Sequence, residues 1–510
     1  MKKNLLLCML AIGMIACTEK NSPDNPGSGN GNDKDSTSAV TPSDTTIVTT
    51  DTIRITWNGQ NVTIDGTNKG VTVTAESGYV TISSTVKDIT YILSGSGQGQ
   101  LTIFGTNRHQ LIMRDLTLTC PDGSAINNQC KKSCFVVLEG TNSLTDGSSY
   151  SSSSESKAAF FSEGQMIFSG NGSLTVQGNY KHALASDDYI HFAQSTGSLN
   201  LTAASDGIHA NDGIYFEGGS FTISAGEEGI QCDTSVITFT GGYIDVVHAG
   251  DKGIAAFDTI AVNGGTIRVN SEYKCIKTQG NLIVNGGDIR VVCNGQASSG
   301  GGGRWGGNTS SNSSPEGIEA KGTITINGGI IYAQSADDAI NSGGDFTVNG
   351  GCLCAYSTGN DGIDANGNCY IKGGLVYAIG ARNPEVAMDA NTEQRYKLYI
   401  QGGTIVAIGN LEGGASMTQS CYKATGATNT WYAMVVGEEV FAFKTPSTNA
   451  STIVVSGASQ PQLFKSVTAS GTDIFNGIGF YPASYTGGNS VSLSIYSGNS
   501  GGGPGGGGWW

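Results

Sequence analysis

Polar and apolar positions in this chain follow a repeat. A Gly-Gly pair followed by alternating apolar residues recurs at Gly218-Gly219-Ser-Phe-Thr-Ile, Gly241-Gly242-Tyr-Ile-Asp-Val, Gly264-Gly265-Thr-Ile-Arg-Val and Gly286-Gly287-Asp-Ile-Arg-Val, then at Gly328-Gly329, Gly350-Gly351, Gly373-Gly374 and Gly402-Gly403, with most pairs 22 or 23 residues apart. Between them lies a small residue followed by an aliphatic anchor: Ala183-Leu184, Gly207-Ile208, Gly229-Ile230, Gly253-Ile254, Cys275-Ile276, Gly317-Ile318, Ala339-Ile340, Gly362-Ile363 and Ala387-Met388. The two ladders stay in phase. The long step from Ile276 to Ile318 contains a Gly/Ser-rich stretch at 295–314, which reads as an insertion in one coil; a Ser-rich stretch at 147–156 interrupts another.

Period-2 alternation predicts strands, and a unit of 22 to 24 residues holding three such strands cannot bury its apolar face alone. Stacked copies share one core. The predicted fold is all-β: a right-handed parallel β-helix, or β-solenoid, of about a dozen coils spaced by ~4.8 Å. A leucine-rich repeat requires its Leu-rich consensus and a propeller blade requires about 40 residues, so both fit worse. The looser strands from Ile53 to Leu144 are expected to cap the N-terminal end. After Tyr422 the Gly-Gly ladder stops while strand-like runs continue, as in Glu439-Val440-Phe441-Ala442-Phe443, which predicts a C-terminal β extension. The expected organisation is a signal peptide (1–16), a lipidated Cys17 with a flexible linker (17–52), the β-helix (53–421), the β extension (422–496) and a Gly-rich tail (497–510).

Composition narrows the picture. With 77 glycines in 510 residues and only 14% charged residues, helical architectures are disfavoured. Met1-Lys2-Lys3 followed by the apolar run Leu5–Ile15 and then Ala16-Cys17 reads as a bacterial signal peptide ending in a lipobox-like site, too short to span a bilayer as a helix. Threonine after Cys17 predicts an outer-membrane lipoprotein, with exposure at the cell surface as one orientation. The membrane is then a partner only through the lipid, and the folded part is expected to be a monomer. The formal charge of −15 opposes binding to nucleic acid, and an acidic polymer would need a bridging cation. The cysteines show no CxxC pair or zinc spacing; Cys120, Cys130 and Cys134 are close enough in sequence for one disulfide, and the rest are expected to be buried as small hydrophobes.

Aligning the coils on the aliphatic anchor brings out columns of charge. Two residues before it stand Asp206, Glu228, Lys252, Lys274, Glu316, Asp338 and Asp361; one after it stand His209, Gln231, Ala255, Lys277, Glu319, Asn341, Asp364 and Asp389. Carboxylates stacked at the inter-coil spacing repel by about 3 kcal/mol at an effective dielectric near 20, so a compensating cation is expected. Calcium takes oxygen ligands and can bridge carboxylates of two coils. The candidate ligands are Asp206, Glu228 and Asp233 at one end and Glu316, Asp338, Asp361, Asp364 and Asp389 at the other, the second set being favoured. Turn chemistry offers the plainer account, since Asp and Asn also cap their own backbones beside glycine.

These residues also carry a resemblance. The Asp206-Gly207-Ile208 and Asp361-Gly362-Ile363-Asp364-Ala365 coils, the Ile-x-x-Asn-Gly-Gly ladder and the Gly140-Thr141-Asn142-Ser143-Leu144-Thr145-Asp146-Gly147 segment resemble bacterial carbohydrate-binding β-helix proteins related to family 9 pectate lyases. The resemblance covers about 53–410. It implies a right-handed β-helix that binds cellulose or acidic polysaccharides such as polygalacturonate, with Asp206, Asp361 and Asp364 as the motif-matched positions for calcium. Lys252 and Lys274 break the acidic pattern. A calcium-dependent polysaccharide lyase would use a basic residue to abstract the proton next to a uronate carboxylate, for which Lys252, Lys274 and Lys277 are the candidates. A non-catalytic adhesive rod is the third reading. Binding predicts exposed aromatics and a guanidinium along one face, for which Arg304, Trp305, Tyr332, Tyr356 and Tyr377 are the candidates.

Overall fold

The structure, a computed structural model, describes residues 47–49, 51–150, 156–296 and 314–498. The signal peptide, Cys17, most of the linker, Arg304, Trp305 and nearly all of the Gly-rich tail lie outside the described residues.

The chain is an all-β solenoid of about 12 turns, with a single 3-10 turn at Thr392–Gln394 among the described residues. Each regular coil contributes one strand to each of three parallel faces. One face stacks the short anchor strands Ile208–Ala210, Ile230–Cys232, Lys252–Ala256, Lys274–Thr278, Glu316–Ala320, Ile340–Ser342 and Ile363–Ala365, in a register that pairs Ile208 with Ile230, Ile230 with Ile254, Ile254 with Ile276, Ile276 with Ile318 and Ile318 with Ile340. The 42-residue step therefore leaves the ladder unbroken. Leucine, isoleucine and valine from all three faces point inward at 0–2% exposure, and Phe168, Phe192, Phe216 and Phe239 stack one per coil with centroids 5.1, 5.0 and 4.9 Å apart. That spacing is close to the inter-strand distance of a sheet, so each ring buries its face on the next.

Two glycine positions explain the repeat. The second glycine of each pair has a left-handed backbone; at Gly265, with φ +88°, a Cβ would also lie 2.8 Å from the Gly241 carbonyl oxygen one coil back. The glycine before the anchor faces a core side chain instead: at Gly253 a Cβ would stand 2.1 Å from Cγ1 of Val269. The asparagines preceding the Gly-Gly pairs form their own ladder, Nδ2 of Asn285, Asn327 and Asn349 each donating to Oδ1 of the asparagine before it at 2.7, 2.7 and 2.8 Å.

At the N-terminal end Asp51–Gly59 and Asn61–Asp65 form an antiparallel hairpin, and Asp51–Gly59 then pairs in parallel with Ile89–Gln98. At the other end Trp431–Val436, Glu439–Lys444, Gln462–Asp473 and Gly479–Val491 close a four-stranded barrel. It rests on one face of the last coils, where Tyr332, Cys354, Tyr377 and Val406 pack against Phe441, Phe443 and Phe475. All ten described cysteines are free thiols, nine of them buried and Cys352 half-buried, so no disulfide joins Cys120, Cys130 or Cys134.

Candidate functional site

The anchor face is parallel and continuous, so a polar residue at one coil position meets its equivalents at the inter-coil spacing. Anchors point inward; residues two before and one after them carry the charge. The face divides into three zones along the stack.

In the first, Asp206 is buried and its Oδ2 lies 3.1 Å from Nδ1 of His182, one coil earlier, and 2.8 Å from Nδ1 of His209. The imidazoles stack with centroids 4.4 Å apart, and Nε2 of His209 is 3.2 Å from Oδ2 of Asp233. Burial alone would push the Asp206 carboxyl up, but hydrogen bonds and charge from the two imidazoles outweigh it and hold the group well below the usual carboxylate range.

The middle zone is basic. Lys252 pairs with Glu228 at 2.7 Å and with Asp251. Lys274, 2% exposed, reaches Oε2 of Glu316 at 2.6 Å and Oε2 of Glu319 at 3.2 Å, and also donates to the Ser314 carbonyl. Lys277 lies 3.3 Å from Glu319, which Lys321 also pairs. Burial lowers the Lys274 ammonium, but the carboxylates around it outweigh burial and hold it charged above its ordinary value; Lys252 is raised in the same way by Asp251 and Glu228. A base that must be neutral to accept a proton is therefore poorly served by either. Beside them a cleft of about 240 Å³ is lined by Gln231, Asp233, Lys252, Phe257, Lys277 and Gln279. Phe257 is 59% exposed, and Oε1 of Gln231 is buried with no hydrogen-bond donor among the described residues.

The last zone is acidic. Asp338 and Asp361 are buried, Asp364 and Asp389 follow on the outer column, and Glu412 succeeds them by the bridge between Met388 and Leu411. Asn341, in the outer column, links it to the inner one, its Nδ2 3.2 Å from Oδ2 of both Asp338 and Asp364; the Asp361 backbone N–H donates to Oδ1 of Asp338 at 3.1 Å and that of Val386 to Oδ1 of Asp361 at 2.5 Å. None of these carboxylates has an ion-pair partner among the described residues. Burial, followed by repulsion from Asp364, Asp337 and Asp361, pushes Asp338 up to about 9. Burial raises Asp361 to about 7 and Asp364 to about 6, and burial together with a hydrogen bond shared with Glu412 raises Asp389 to about 9. Buried carboxylates lacking a counter-charge among the described residues favour a hard divalent cation, which would draw them closer together than they stand here.

This geometry sorts the residues singled out by sequence. Asp338, Asp361, Asp364 and Asp389 occupy neighbouring coil positions with no cation paired to them among the described residues, although no three of their carboxylates bring oxygens within 4.8 Å of one another. Glu316, expected with them, is instead paired by Lys274, and in the separate cluster expected at the other end Asp206 and Asp233 have histidine nitrogens beside them and Glu228 has Lys252. The tyrosines are a correction. Tyr377 is fully buried and donates to the Lys444 carbonyl at 2.8 Å, Tyr332 is 3% exposed, and Tyr356 is half-buried against the same cluster, because the C-terminal barrel covers the strand positions from which they project. Three participants escaped notice in the sequence. His182 precedes the first charged position by one coil, Glu412 follows a lengthened loop, and Phe257 was hidden by lying outside the aligned columns.

Residues 76–362 match the family model described as "Carbohydrate-binding domain-containing protein". No curated protein matches. Among solved structures, one titled "Structure of the polysaccharide lyase-like protein from C. thermocellum, Gadolinium derivative" aligns at 20% identity and a TM-score of 0.35, covering 48% of this chain and 95% of that one. The family match spans more than half of the 510 residues, and the chain therefore belongs to the family of carbohydrate-binding domain-containing proteins.

Proposed function

We propose that this protein binds an acidic or cellulosic polysaccharide along the anchor face, in a calcium-dependent manner and without cleaving it. The observation that carries the reading is the acidic zone. Asp338, Asp361, Asp364 and Asp389 line two adjacent columns with carboxyl groups raised by burial and no cation paired to them among the described residues. These residues would hold the calcium, which supplies positive charge for a uronate carboxylate as well as relieving their own repulsion. The cleft beside Phe257 complements it, since Lys252 and Lys277 offer charge, Gln231 an unused acceptor and Phe257 an apolar face for a sugar ring. Lipidation at Cys17 would tether the chain to the outer membrane, a step that radiolabelled palmitate and a Cys17→Ser variant would report.

Calorimetric titration of the full chain with polygalacturonate and with a neutral glucan, each with calcium and with chelator, tests the reading while ultraviolet absorbance is followed for unsaturated products. Binding that chelator abolishes, with flat absorbance, is the expected result. Rising absorbance would make the protein a lyase. Absence of heat with either polymer would leave an adhesive rod.

A further inference from the structure

The first zone differs in kind from the acidic one. Asp206 Oδ2, Nδ1 of His182 and Nδ1 of His209 converge, with ligand atoms all within 4.8 Å of one another. Four zinc ligands at about 2.0–2.1 Å in a tetrahedron have edges of about 3.3 Å, close to the 3.1 and 2.8 Å seen from Oδ2 to the two nitrogens. The remaining oxygen of Asp206 is already engaged: Oδ1 takes the Ser205 hydroxyl at 3.0 Å and the Glu228 backbone N–H at 3.3 Å, which fixes the carboxylate so that Oδ2 faces the histidines.

A second observation points to a ligand. Asp233 accepts from Nε2 of His209 at 3.2 Å, and Gln231 holds Asp233 in turn by donating to its other oxygen at 3.1 Å. In the structure Nδ1 of His209 donates to Oδ2 of Asp206 at 2.8 Å; an entering metal would displace that proton, and the carboxylate behind the far nitrogen would then keep the Nε2–H tautomer and orient the ring. His182 brings its Nδ1, which accepts the Asp206 backbone N–H at 3.3 Å, to within 3.1 Å of the same Asp206 oxygen, so both imidazoles meet one carboxylate oxygen. We propose that His182, Asp206 and His209 bind a divalent transition metal of the zinc class, at a site separate from the acidic array and selective against calcium. Imidazole nitrogen suits zinc, nickel and copper, whereas calcium takes oxygen. The rings overlap at 26°, so sharing one ion turns each about χ2, a soft torsion for histidine. The fourth position falls to water or to Glu228, whose carboxylate lies in a second group of close ligand atoms with Asp206 and Glu227.

The test is zinc titration of the chelator-stripped full chain in millimolar calcium, repeated with cobalt in visible absorption. Wild type is expected to bind one more equivalent than a His182→Gln/His209→Gln variant, to give the intense cobalt bands of a tetrahedral site, and to release protons as zinc enters. Each single variant is expected to weaken binding at least tenfold, and Asp364→Asn to leave it unchanged; circular dichroism checks that each has folded. Equal zinc uptake by wild type and either folded single variant would overturn the proposal, as would displacement of zinc by calcium.

Discussion

Asp338 shows how a single residue reports the state of the face. Its carboxyl is pushed up to about 9 by burial and by the neighbouring aspartates, from an ordinary 3.8. Between those values the folded chain binds a proton that the unfolded chain has lost, so the contribution to stability is full below about pH 4 and disappears as pH rises toward 9. In chelator, wild type is therefore expected to lose melting temperature from pH 5 to pH 8.5 more steeply than Asp338→Asn. Saturating calcium should flatten the wild-type dependence, because an ion replaces the proton. Scanning calorimetry at the two pH values decides it, and parallel slopes for the two proteins would remove Asp338 from the array. At this scale the sequence was legible where one column determines the outcome: stacking the anchors put Asp338 and Asp361 in adjacent coils, where the Asp361 N–H donates to Asp338. It was opaque where a partner comes from the other column, as with Lys274, which meets Glu316 in its own column and also Glu319 in the next, because an anchor alignment orders residues along the stack and leaves side-chain reach open.

An element here is a coil, and its tolerance depends on what one strand offers the next. Gly207, Gly229 and Gly253 face Ile223, Val246 and Val269, small residues opposite large ones, whereas Gly317 faces the small Ala333. Gly253→Ala places a methyl 2.1 Å from Cγ1 of Val269 and 2.6 Å from the Cys275 carbonyl oxygen. Overpacking of this sort costs about 1–3 kcal/mol. Adding Val269→Ala should recover part of the loss, and a double-mutant cycle by guanidinium unfolding measures the coupling. Additive effects would mean that the backbone oxygen, not Val269, sets the limit. The coil was the most readable unit, since one period predicted strands, glycines and anchors together. Only the asparagine ladder had no role assigned from sequence, because exposed Asn before Gly-Gly reads equally as a turn residue.

The whole solenoid has two problems that no coil solves by itself: an open edge at its last coil and an apolar outer face above it. Unpaired strand edges and large apolar patches both promote association. The C-terminal segment meets both. Thr452–Ser456 pairs antiparallel with Thr404–Ile408, ending the parallel stack, and the barrel lies over Tyr332, Cys354, Tyr377 and Val406. That is why aromatic residues that looked from sequence like a sugar platform became core: sequence alternation placed them outward correctly, and the cover came from residues about 100 positions later, beyond the reach of any local pattern. Ending the chain at residue 420 should therefore yield a solenoid that self-associates, whereas the full chain stays dispersed. Light scattering during a concentration series distinguishes the two. Replacing Tyr332, Tyr377 and Val406 with threonine in the shortened chain separates the causes. Restored dispersity would assign association to the uncovered face, while persistent growth would assign it to the open strand edge that Thr452–Ser456 normally occupies.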